Sequence, residues 1–183
     1  MSLWRTSTAQ DNNPRDTQAS HARSVLLDTD VFSYLMKSDS ERAKPYRPHV
    51  QGKIVAVSFV TVGELLFGSY KKKWDAAKVA SLNKKLRSVL IVPYDRKVCE
   101  TYGELKSKLL DTRKVVADND LWIAACAVRH SIPLVSNNRK NFQWLTGFGL
   151  VLISEAPIIR EIESQQTIPE VAVLVKPEPG EST

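Results

Sequence analysis

The chain has 183 residues, 43% hydrophobic and 25% charged, the size and balance of a single domain with one sizeable core. No stretch approaches the ~18 consecutive apolar residues of a membrane span, and the opening MSLWRTSTAQDNNPRDTQASHARS lacks the apolar core of a signal peptide, so a cytoplasmic protein is expected. A formal net charge of +6 favours an anionic partner, while Cys99, Cys126 and the scattered His21, His49 and His130 share no spacing suited to a zinc centre or a Cys/His or Ser/His/Asp nucleophilic site.

In chain order, residues 1–22 are polar and predict a flexible arm. An apolar strand over 25–27 then stops at Asp28-Thr29-Asp30, ahead of a helix over 31–36. Two acids at the carboxyl end of a strand sit where open α/β sheets bind ligands, and together they repel unless a cation is present. Aspartate is also a favoured N-cap, so the local reading gives Asp30 mainly the cap and Asp28 the metal. The charged, proline-containing stretch 37–53 reads as a loop or short irregular helix.

A second strand over 54–57 leads into a helix over 60–70 that carries Glu64, the only acid between Glu41 and Asp75. Thr61-Val62-Gly63-Glu64 matches a capping box, in which the glutamate satisfies a backbone donor, and on this segment alone the cap is the favoured reading. Beyond it lie a helix over 74–87, a strand over 89–92 and a helix over 96–110. Lys71, Lys72 and Lys73, then Lys84, Lys85 and Arg87, then Arg113 and Lys114 form either a rim for a phosphate backbone or plain solvated helix faces.

The segment VVADNDLWIAACAVRHSIPLVSNN places Asp118 and Asp120 at the entry of a small-residue helix over 119–130, followed by strands over 133–135 and 150–153. Asp118 or Asn119 is the natural N-cap there, and Asp120 in the first turn is either a dipole-favoured surface acid or a ligand. The alternation of strands and helices predicts an α/β sandwich, three layers around a mainly parallel sheet of about five strands. Three strand–helix junctions would then bring acid to one sheet edge, a ligand set suited to Mg²⁺ or Mn²⁺. A domain over 23–160 is expected, with a partly disordered tail over 161–183 in which 171–175 is apolar enough to dock.

LLDTDVFSYL, AVSFVTVGELLFG and DNDLWIAACAVRHSIPLVSNNRKNF, in that order and spacing, resemble the PIN-domain family over about 25–153, and the size and phrasing resemble its VapC toxin branch. The resemblance implies that Asp28, Glu64 and Asp120 gather a divalent metal, Mg²⁺ or Mn²⁺, which overrides the local preference for Glu64 as a cap. Asp118 matches an accessory acid, a ligand or water-holder. Thr29, Ser136, Asn137 and Asn138 are placed to position water or phosphate. Many members carry an acid at the position of Asn138 or Asn141; both are amides here, which implies one tightly held metal rather than two.

The resemblance also implies a metal-dependent endoribonuclease acting on tRNA or another structured RNA, a homodimer, and a VapB-like antitoxin whose cationic segment competes for the carboxylates. Two other readings remain open on the sequence. One is a PIN-like RNA- or protein-binding module without activity, which the two amides make conceivable. The other is a haloacid-dehalogenase-type phosphatase, suggested by the strand ending in Asp28-Thr29-Asp30.

Overall fold

The structure, a computed structural model, describes residues 24–37 and 39–155; the arm at 1–22 and the tail at 161–183 lie outside the described residues. Five short strands form one sheet: β1 (Ser24–Leu27), β2 (Ile54–Ser58), β3 (Leu90–Val92), β4 (Leu134–Val135) and β5 (Leu152–Ile153). Their order is β3-β2-β1-β4-β5 and every pairing is parallel, with Leu26 opposite Ala56 on one side and Leu134 on the other. The chain lays down β1, β2 and β3 outward in one direction and then returns to add β4 on the far side of β1. Connections from adjacent β1 and β4 therefore run outward to opposite sides, and the crevice at their carboxyl ends is the topological switch point of an open sheet.

Parallel strands need crossovers, and helices supply them on both faces. Alternate residues of each strand serve opposite layers. Leu26, Ala56, Val92 and Leu134 pack with Val98, Leu105 and Leu109 of α5 (Arg96–Asp111) and with Leu121 to Ala127 of α6 (Asp118–Arg129). Val25, Leu27, Val57 and Val135 pack on the other face against α1 (Thr29–Leu35), α3 (Phe59–Lys71) and α4 (Ala76–Leu86), through Phe32, Leu65, Leu82 and Leu86. The result is the expected three-layer sandwich, with the small residues Ala124, Ala125 and Ala127 letting α6 lie close to its neighbours.

Elements predicted from periodicity are all present, and their ends move to where capping bonds place them. The helix expected from 74 starts at Ala76 because Asp75 accepts a 2.8 Å bond from the Lys78 amide. The irregular stretch before β2 folds into a 3-10 turn, Glu41–Tyr46, that runs into the short helix α2 (Arg47–Val50). Between β4 and β5 the sequence showed no periodicity, yet the chain forms α7 (Arg139–Phe142) and a 3-10 turn, Gln143–Phe148. Gly149, at φ 97°, ends that turn in a left-handed conformation, which shortens β5 at its start. Among the described residues, no helix is long and apolar enough to cross a membrane.

Candidate functional site

The site is built where β1 and β4 end. Asp28 is the first residue beyond β1, and its amide donates to the Val135 carbonyl at 3.0 Å, which ties the position to β4. Its side chain is 5% exposed. One carboxylate oxygen accepts from the Thr29 amide and the other from the Ser136 hydroxyl, both at 2.7 Å. Asp28 is therefore itself the N-cap of α1, and Asp30, expected to cap, is an exposed first-turn residue. The helix starts two residues before its first buried side chain, Val31, so apolar spacing alone placed the cap too late.

Glu64 does not close a capping box. Ser58 caps α3, its hydroxyl accepting from the Thr61 amide at 3.0 Å, and the helix begins at Phe59, which moves Glu64 into the second turn. Released from the backbone, its carboxylate accepts from the Thr29 hydroxyl on α1 and, at 2.7 Å, from the Asn119 amide on α6. The expected side-chain cap of α6 is corrected too. Ala117 is the N-cap and makes no side-chain bond, so the two polar residues after it face neighbouring groups instead of the backbone.

Asp120 lies in the first turn of α6, partly buried, and one of its oxygens accepts from Asn141 at 2.7 Å and from Asn138 at 3.2 Å. Asn141, a position the family resemblance had singled out, thus orients the acid from α7, and Asn119 orients Glu64; that these amides donate to the carboxylates carried no spacing signal. Asp118 turns away from this group. Its exposed carboxylate accepts from Lys106 at 2.8 Å and from Tyr102 at 2.9 Å, and the Lys106 contact holds it below the usual carboxylate range. Asn137 also faces elsewhere, accepting from the Tyr46 hydroxyl at 2.9 Å, whereas the Asn138 amide donates to Ser136 at 2.9 Å and braces the residue that holds Asp28.

Burial pushes the Asp28 carboxyl up to about 6; repulsion from Asp120 and Asp30 adds to this, while the bonds from Ser136 and Thr29 oppose it. Asp120 is raised as well, first by burial and then by the charges of Glu64 and Asp30, against the bond from Asn141. Among the described residues, neither Lys nor Arg forms an ion pair with Asp28, Asp30, Glu64 or Asp120. Four acids in one field, without an ion-paired lysine or arginine among the described residues, have the chemistry of a hard-cation site. Among the described residues, no three such groups already stand as a finished metal cage. Each oxygen of Asp28 and Glu64 accepts one protein donor and one oxygen of Asp120 accepts two, so the match is one of donor type and charge.

A parallel α/β sandwich that gathers carboxylates at its switch point places an acidic site where open sheets bind their ligands. The chain belongs to the PIN domain family, whose profile matches residues 25–144. It is 30% identical over 118 residues, 64% of this chain and 89% of the relative, to Ribonuclease VapC2 of Haemophilus influenzae. It is 24% identical over 122 residues, 67% of this chain and 92% of the relative, to the tRNA(fMet)-specific endonuclease VapC of Shigella flexneri. The VapBC2 structure from Rickettsia felis, bound to a promoter DNA fragment, aligns with a TM-score of 0.63 and 25% identity, covering 72% of this chain and 98% of that one. Membership sets aside the haloacid-dehalogenase reading of Asp28-Thr29-Asp30.

Proposed function

We propose that the protein is a divalent-metal-dependent endoribonuclease of the VapC toxin type, acting on tRNA or another structured RNA. The observation that supports this most is the meeting of Asp28, Glu64 and Asp120 at the switch point with no lysine or arginine paired to them among the described residues. Similarity to relatives named ribonuclease and tRNA(fMet)-specific endonuclease supports the substrate class. Similarity to a VapBC complex supports a VapB-like antitoxin as partner; a homodimeric toxin acting in the cytoplasm belongs to the same proposal.

Asp28 and Asp120 would hold Mg²⁺ or Mn²⁺. When bound, the dication supplies charge neutralisation at a scissile phosphodiester and lowers the pKa of water. Glu64, held between Thr29 and Asn119, would orient the attacking water and take its proton. Water oxygen bonds to phosphorus and the bond to the 3′ oxygen breaks, leaving a 5′-phosphate and a 3′-hydroxyl. Ser136 donates to Asp28 and Asn138 to Asp120, which fixes the carboxylates beside the place proposed for substrate and water.

The direct test is incubation of purified, antitoxin-free protein with total bacterial RNA and Mg²⁺, Mn²⁺ or EDTA. Discrete fragments that require metal are expected; intact RNA with either metal would favour a binding module without activity. A second expected result concerns Asn141. Asn141→Asp removes a donor from Asp120 and adds a negative charge beside it, so Mn²⁺ binding measured by calorimetry should tighten by roughly tenfold or more. Unchanged affinity would mean that position 141 does not face the metal.

A further inference from the structure

The connection from β1 to β2 ends its 3-10 turn on Tyr46, and that residue reaches the segments just past β4 and β5. Its ring is 2% exposed and belongs to the core layer of Val25, Leu27, Val57 and Val135. Packing alone would be served by phenylalanine. A phenol in an apolar layer needs a hydrogen-bond partner, and here both partners stand at the edge of the acidic site. The hydroxyl lies 2.9 Å from Asn137 Oδ1 and 3.0 Å from the Glu155 carbonyl, two acceptors that share its one proton. Alongside, His49 of α2 sits 2.6 Å from the Glu155 carboxylate and ties the same element to the end of β5.

Asn137 stands between the two residues that hold the acids. Ser136 donates to Asp28 at 2.7 Å, and Asn138 donates through its side chain to Asp120 at 3.2 Å and through its backbone amide to Ser136 at 2.9 Å. Past the bond from the Ser136 amide to the Ile153 carbonyl, at 3.0 Å, the sheet offers this segment no further backbone partner among the described residues. Side-chain bonds therefore set its course. Burial first, then Tyr34, Glu155, Asp28 and Asp30, push the Tyr46 phenol up to about 12, so the hydroxyl remains a donor throughout the neutral range. We propose that Tyr46 is a positioning residue for the acidic site: through Asn137 its hydroxyl sets the path of residues 136–138, and with it the placement of Asp28 relative to Asp120. The inference rests on the ribonuclease reading for its consequence in cleavage, whereas the positioning itself can be measured in the metal-free protein.

Three substitutions test it. Tyr46→Phe removes one oxygen and keeps the ring that fills the core. Asn137→Ala removes the other end of the bond at a partly exposed position and leaves the bond to Glu155 in place, so the two form a double-mutant cycle. Tyr34→Phe is the control: the same oxygen is lost from a ring 6.5 Å away that makes no hydrogen bond to Asn137 or Glu155. Amide hydrogen exchange in EDTA compares Asn138, whose amide donates to Ser136, with Leu26, whose amide donates to the Pro133 carbonyl inside the sheet. Mn²⁺ affinity by calorimetry and single-turnover cleavage of total bacterial RNA complete the set.

Tyr46→Phe is expected to speed exchange at Asn138 by roughly tenfold, about the worth of one hydrogen bond, and to leave Leu26 unchanged. Mn²⁺ affinity and the cleavage rate should each fall by roughly tenfold, as for an outer-shell partner of a metal ligand, with the RNA concentration for half-saturation unmoved. Asn137→Ala should do the same, the double variant should lose no more than either single one, and Tyr34→Phe should match wild type. Additive losses in the double variant, unchanged exchange and Mn²⁺ affinity in Tyr46→Phe, an equal effect of Tyr34→Phe, or faster exchange at Leu26 as well as Asn138 would overturn the positioning role. The two readings separate. A protein that never cleaves RNA but shows the exchange changes would sink the ribonuclease and leave Tyr46 its role; metal-dependent cleavage with an indifferent Tyr46→Phe would do the reverse.

Discussion

Asp120→Asn is expected to reduce metal-dependent RNA cleavage by more than the roughly 10–100-fold that accompanies loss of an outer-shell partner of a metal ligand. The substitution keeps the shape of the side chain and its place in the first turn of α6. What it removes is the charge. Asp120 is partly buried, receives two amide donors on one oxygen, and feels Glu64 and Asp30 without an ion-paired lysine or arginine among the described residues. A dication would relieve that field, and with one acid neutralised less of the field remains to hold it. Single-turnover cleavage across a Mn²⁺ titration reads both effects, a lower ceiling and a weaker metal dependence.

Asp118→Asn makes the informative contrast, since only two residues separate the acids. Its carboxylate is exposed and occupied by Lys106 and Tyr102, so its loss should be much milder, through the docking of α5 against α6 rather than through the metal. Equal losses for Asp118→Asn and Asp120→Asn would mean that Asp118 rotates into the site when metal binds, as the family resemblance implied. Full cleavage by Asp120→Asn would remove it from the metal site altogether.

The fold was legible because both periodicities are strong. Short branched runs could only be strands, and helices showed their buried residues every three or four positions, so the layers and parallel sheet could be inferred. The carboxylates were legible as types at junctions. Their local assignments were not, because Asp and Ser/Thr-x-x-Glu patterns serve capping and ligation alike, and the choice depends on where the helix begins. Ser58 starts α3 three residues before the apparent box, and that shift turns Glu64 from a cap into a site residue. Likewise, Asp118 and Asp120 look equivalent in sequence, yet their side chains leave a helix of 3.6 residues per turn about 200° apart, and Lys106 lies on the Asp118 side. The amide of Asn141 acquires its role only when α7 folds back over α6, a contact without sequence periodicity.

Asp28→Asn should make the metal-free protein more stable, a gain of about 3 kcal/mol at pH 8 from the displacement of this carboxyl from its ordinary 3.8 to about 6. The direction is opposite to that of a salt-bridged aspartate. Below pH 3.8 the carboxyl is protonated in both folded and unfolded chains and contributes nothing. As pH rises through about 6, the unfolded chain ionises freely while the folded one must hold a buried charge, so wild-type stability falls across that window and stays lower above it. Asparagine can still accept the capping bond from the Thr29 amide, and its own amide can donate to the Ser136 hydroxyl. In EDTA the melting temperatures of the two proteins should therefore diverge between about pH 4 and 6.5, reaching several degrees at about 2–4 °C per kcal/mol for a chain of this size. Adding Mn²⁺ at pH 8 should raise the wild type and leave the variant nearly unmoved, because the charge that destabilises the empty fold is the one proposed to bind the ion. A variant less stable than wild type at every pH would show that the two hydrogen bonds on Asp28 outweigh its burial, and the account of the site as a strained, cation-seeking cluster would fail at its centre.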